Sequence, residues 1–112
     1  CPLTEDSRNL INQDRIAQMK KGAILINAAR GPIVDSKALA DALNSGYLRG
    51  AGVDVFEMEP PLPMDHPLLH SINTIVTPHI AFASDESMEI RAEIVFENIQ
   101  KWMNKEQVNI IL

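Results

Sequence analysis

A single cysteine, Cys1, stands in this chain of 112 residues, so no internal disulfide can form and a reducing compartment is expected. Basic residues are also short: ten Lys and Arg against fifteen Asp and Glu leave a formal charge of −5. A nonspecific grip on nucleic acid or on anionic lipid needs a basic face, so neither is an expected partner and small metabolites remain. No apolar run approaches the ~20 residues that span a bilayer, and no charged-then-apolar leader opens the chain. The expected location is the cytoplasm. Glycine is sparse too. The nearest approach to a Gly-x-Gly-x-x-Gly phosphate loop is Gly50-Ala51-Gly52, which has Val55 in place of the third glycine and opens a strand, so it is rejected as one. No Gly-x-Ser-x-Gly elbow supplies a hydrolase nucleophile. Asp65, His66 and His70 fall in a proline-broken loop without a cysteine pair, and no metal site is expected.

What the chain does have is a 46% hydrophobic content, enough to demand a core, arranged in alternating strand and helix patterns. Asn12 is a credible N-cap for a short helix through Met19, with Lys20, Lys21 and Gly22 suited to its end. Ala23-Ile24-Leu25-Ile26 is short and unbroken, the pattern of a strand buried on both faces. Asp35 can cap a helix in which Leu39, Ala42 and Leu43 share a face, and Gly46 stands where a left-handed C-terminal residue belongs. Residues 51 to 56 resume as a strand. Pro60, Pro61, Pro63 and Pro67 then mark a surface loop, and Thr74-Ile75-Val76 makes a third buried strand ended by Pro78. From Ser84 the spacing of Met88, Ala92, Val95, Ile99 and Trp102 predicts one long helix with an apolar stripe, widened by Ile90, Ile94 and Phe96. A helix so apolar is expected to touch two bodies.

Strand, helix, strand, crossover, strand is the rhythm of an α/β fold with a parallel sheet. Such sheets place ligands at the carboxyl ends of their strands. Arg30 follows the first strand within Asn27-Ala28-Ala29-Arg30-Gly31, Asp54 and Glu59 follow the second, and His79 follows the third. Taken singly, each has a plain structural reading: a solvated arginine, a turn-capping aspartate, an exposed glutamate. Together they form the outline of a site.

Three motifs carry a family resemblance: Asn27-Ala28-Ala29-Arg30-Gly31 with Val34-Asp35, Gly50-Ala51-Gly52-Val53-Asp54-Val55-Phe56 with Glu59-Pro60, and Thr77-Pro78-His79-Ile80. In this order and spacing, and with Cys1-Pro2-Leu3-Thr4 ahead of them, the chain resembles the D-isomer-specific 2-hydroxyacid dehydrogenases. The resemblance implies the C-terminal half of a Rossmann-type parallel-sheet NAD-binding domain over residues 1–81. Residues 82–112 would be an interdomain helix and tail returning to a substrate domain. The glycine loop and that domain are not within these 112 residues, so the segment alone is expected to be inactive. A dimer is expected of the full-length protein.

Interconverting a 2-hydroxy acid and a 2-keto acid by hydride transfer needs a cation for the carboxylate, an acid/base for the hydroxyl proton, and a group that orients the acid/base. A guanidinium presents a planar fork that matches a carboxylate, so Arg30 suits the first role. An imidazole titrates near neutrality, so His79 suits the second, and Glu59 can hold its far ring nitrogen. Glu57 lies as near the strand end; Glu59 is preferred because the family's glutamate directly precedes the proline. The resemblance further implies that Cys1, Ala28, Ala29, Arg30, Asp54, His79 and Ala81 line the cofactor site. NAD is the expected cofactor, and NADP is left open because the residue that selects between them lies after an earlier strand. A second implied reading is a dinucleotide-sensing corepressor of the same fold, which keeps the same three residues.

Overall fold

The computed structural model describes residues 1–58 and 61–110, in two compact units, Cys1–Ile80 and Ala81–Leu112. In the first unit, α1 (Gln13–Ala17) begins at Asn12, whose side chain accepts from the Arg15 N–H. Its far end is held by the Tyr47 hydroxyl, which donates to the carbonyls of Ala17 and Met19. Helix α2 (Ser36–Asn44) begins at Asp35, whose carboxylate accepts from the Ala38 N–H at 2.9 Å, and Gly46 beyond its end has φ +72°. Both N-caps expected from the sequence are formed.

Three strands, β1 (Ile24–Asn27), β2 (Gly50–Val53) and β3 (Thr74–Val76), form a fully parallel sheet in that spatial order. The register sets Leu25, Ala51 and Thr74 in one row and Asn27, Val53 and Val76 in another on the same face. Against that face pack Ile16 of α1, Leu39, Ala40 and Leu43 of α2, and Leu48 and Leu68 from the connections, with Leu39, Leu43 and Leu48 fully buried. This is the layered packing by which a helix stripe and a sheet face remove each other's apolar surface from water.

The opposite face departs from expectation. Ile24, Ile26 and Ile75 are 61%, 77% and 72% exposed, so β1 is not buried on both faces, and no residue of β3 is buried. The physical reason is the period of two: Ile26, Gly52 and Ile75 share a row that points away from α1 and α2. The helices of this unit cover one side only. Strand β2 also stops at Val53 rather than Phe56, because its parallel partners end there.

In the second unit, α3 (Asp85–Met103) starts at a capping box in which the side chains of Ser84 and Ser87 each accept from the other's backbone N–H. Glu97 and Lys101 pair at 2.7 Å, and the Arg91 guanidinium lies 4.9 Å from the Phe82 ring centroid. The apolar stripe is present but none of α3 is buried: Met88, Val95, Ile99 and Trp102 are 47% to 66% exposed. No helix among the described residues is long and apolar enough to cross a membrane.

Candidate active site

Because all three strands run parallel, their carboxyl ends lie on one edge, and the segments that follow them share it. Arg30, Asp54 and His79 line one cleft of about 200 Å³, together with Leu3, Gly31 and the Val55–Met58 segment. Three of the residues picked out by the sequence are thus brought together. Glu59 lies outside the described residues, and Ala81 belongs to the second unit. Cys1 and Ala29 line a separate groove with Asn27 and apolar residues of β1 and its neighbours. Ala28 is exposed at the end of β1.

The turn carrying Arg30 is fixed by Asn27, which is 6% exposed. Its side-chain oxygen accepts from the Ala29 N–H and its amide donates to the Arg30 carbonyl, both at 3.1 Å. Such a side-chain turn satisfies backbone groups where the sheet ladder has ended. Arg30 itself is exposed and extended, with one guanidinium nitrogen donating to the Ala29 carbonyl at 2.7 Å. A guanidinium has five N–H donors, so others remain for a carboxylate. Gly31 comes next, and its place is dictated by crowding. A Cβ there would stand 1.9 Å from both the carbonyl carbon and oxygen of Phe56.

Asp54 is buried and works as a brace. Its Oδ1 accepts from the Thr77 hydroxyl at 2.5 Å and from the Ile80 N–H at 2.9 Å, while its backbone N–H donates to the Asn27 carbonyl. One carboxylate therefore spans the turn that carries His79. Asp54→Ala would leave the Thr77 hydroxyl and the Ile80 N–H without this acceptor, and is expected to cost about 2 kcal/mol in urea unfolding. His79 is exposed and has φ +59°, the left-handed region that side chains seldom enter.

A second carboxylate was passed over in the sequence. Glu57 faces His66, with 3.3 Å between Oε2 and Nε2, and His66 is buried with its ring at 90° to that of Phe56. Burial opposes ionisation of Glu57, but hydrogen bonds from the Ser36 hydroxyl, its own N–H and His66 prevail and hold its pKa below the usual carboxylate range. A depressed folded-state pKa adds stability above the unfolded value of about 4.3, lost as pH falls through the folded value. Glu57→Gln should therefore be less stable than the parent at pH 7, with the two urea midpoints converging as pH falls through the lowered folded-state value. The signal for this pair was His66-Pro67, an N-cap followed by a proline at the start of a 3-10 turn. Among the described residues no three His, Cys, Asp or Glu side chains gather as a metal site.

With this geometry in view, comparison with known proteins is decisive. Residues 1–81 match the family model of the D-isomer specific 2-hydroxyacid dehydrogenase NAD binding domain. The chain belongs to that family. A glyoxylate reductase from Thermofilum pendens is 49% identical over 98 residues, 88% of this chain and 29% of its own length. Among solved structures, a D-lactate dehydrogenase with NAD+ from Lactobacillus jensenii superposes with a TM-score of 0.84 at 32% identity, covering 100% of this chain and 37% of that one. A D-isomer specific 2-hydroxyacid dehydrogenase from Xanthobacter autotrophicus Py2, in complex with NADPH and MES, gives 0.75 at 44% identity, covering 97% and 44%. The chain spans about a third of the length of the curated relatives it matches. Within the family fold, the described strands are part of the NAD-binding sheet.

Proposed function

We propose that this chain supplies the catalytic edge of an NAD(P)-dependent oxidoreductase that interconverts a D-2-hydroxy acid and a 2-keto acid. The observation that carries the reading is the meeting of Arg30 and His79, a fixed cation and an imidazole, in one cleft at the strand ends. The nicotinamide end of the cofactor fits the neighbouring groove, where Cys1, Asn27 and Ala29 present small side chains and no charge. Bound there, the cofactor would give or take the hydride at the substrate's second carbon.

Arg30 grips the carboxylate and, through its remaining donors, draws charge toward the substrate oxygen. His79 gives that oxygen a proton during reduction and removes it during oxidation. Glu59 orients the ring and stabilises its protonated form. Asp54 keeps the His79 turn in place, and by resemblance also faces the nicotinamide amide. In this reading residues 82–112 lead to a second domain, and the substrates are small acids such as glyoxylate, hydroxypyruvate, phosphohydroxypyruvate or pyruvate. Homodimer formation by the full-length protein belongs to the same reading.

The test is loss of NADH or NADPH absorbance by the full-length protein with that panel of keto acids. Turnover of at least one is expected, and the preferred nucleotide shows the cofactor. Tight NADH binding with no turnover of any would overturn the enzyme reading in favour of a dinucleotide sensor. The 112-residue chain alone should show neither turnover nor micromolar affinity for NADH.

A further inference from the structure

The Glu57–His66 pair has no part in the chemistry above, yet it joins the cleft to the interior: Glu57 lines the cleft with its side chain 39% exposed, and His66 behind it is buried. Both ring nitrogens of His66 are engaged. Nδ1 accepts from the Leu68 N–H at 3.4 Å, which leaves the proton on Nε2, pointed at Glu57. Ser36, the first residue of α2, also favours the ionised Glu57 carboxylate. That carboxylate therefore ties together the start of α2 and the loop before the 3-10 turn at Pro67–Leu69.

The mechanical consequence lies in the backbone. Sheet pairing of β2 ends at Val53, so no ladder holds residues 56 and 57. Their backbone nonetheless sits on Gly31 with no room for one methyl group, immediately beside Arg30. Side-chain contacts keep it there: the Glu57–His66 bond and the edge contact of Phe56 with His66 at 5.3 Å, beside the packing of Phe56 on the core. We infer that Glu57 and His66 are positioning residues, a clamp that presses the Phe56–Glu57 backbone onto Gly31 and so sets the placement of Arg30 in the cleft.

The kinetic part of this inference rests on the proposed function; the structural part does not. The full-length protein is compared with His66→Phe, which keeps an aromatic ring beside Phe56, though a larger one, but deletes both hydrogen bonds, with Glu57→Ala, and with Glu57→Gln, which keeps an acceptor oxygen. Hydrogen exchange should quicken at least about fivefold at the Ala29, Ile33 and Val34 amides, which close the Arg30 turn, in His66→Phe and Glu57→Ala, with α2 unchanged. The keto acid KM should rise about tenfold with kcat within about threefold, because a small displacement of Arg30 weakens the carboxylate grip. Glu57→Gln should restore most of what Glu57→Ala loses. Unchanged exchange at the turn, or faster exchange spread evenly over the whole unit, would overturn the clamp. If His66→Phe does not fold, the two Glu57 variants decide by the same criteria. If the parent shows no turnover, the proposed function fails while the exchange result still decides the clamp.

Discussion

Gly31→Ala is expected to destabilise the first unit by about 3 kcal/mol or more and, on the proposed function, to lower keto acid kcat/KM in whatever full-length protein still folds. The new methyl would stand 1.9 Å from the Phe56 carbonyl carbon and oxygen and 2.6 Å from the Glu57 nitrogen. These are backbone atoms, so no rotamer change relieves the overlap. Either the Arg30 turn or the Phe56–Glu57 segment must move, and each borders the cleft. Gly46→Ala is the control: nothing stands within 4 Å of the added methyl, and the cost comes only from φ +72°. It should lose about 1 kcal/mol, with kcat/KM unaltered. Urea midpoints of the two variants separate crowding from backbone conformation. Equal losses would show that the Gly31 contact yields more easily than its geometry implies.

How much of this was legible in the sequence depends on how local the cause is. Asn12 and Asp35 cap helices through bonds to the next few residues, so short-range spacing sufficed to place them. The convergence of Arg30, Asp54 and His79 followed from one global inference, a parallel sheet, because parallel strands place their carboxyl ends on one edge. Burial was less legible. Ile24 and Ile75 look like core residues in any periodicity argument, but whether a strand face is covered depends on what packs over it, and α1 and α2 cover the other face. Least legible were contacts made across the chain by groups with no pattern of their own. The fit of Gly31 against Phe56 and the meeting of Glu57 with His66 depend on the third dimension alone. The second role of Asp54, bracing Thr77 and Ile80 across more than twenty residues, belongs with these.

At His79 the usual ranking of alanine over glycine should reverse. Its φ of +59° places the side chain's first carbon against the preceding backbone, a cost of about 1 kcal/mol for any residue except glycine. His79→Ala keeps that cost and loses the imidazole; His79→Gly loses both. Both variants forfeit every contact of the ring equally, so comparing them isolates the backbone. His79→Gly should therefore unfold at the higher urea concentration, by about 1 kcal/mol, although glycine elsewhere in a chain is the less stable choice. Catalysis should not follow stability. If His79 exchanges the proton with the substrate oxygen, both variants lose about 10²- to 10⁴-fold in kcat for keto acid reduction, while NADH affinity stays near that of the parent. A glycine variant that is more stable and yet inactive would show that the left-handed turn is maintained for the sake of the imidazole it presents. Retention of kcat in both would remove His79 from the reaction. An alanine variant as stable as the glycine one would mean that the Asp54 brace, rather than the residue at 79, sets the energy of the turn.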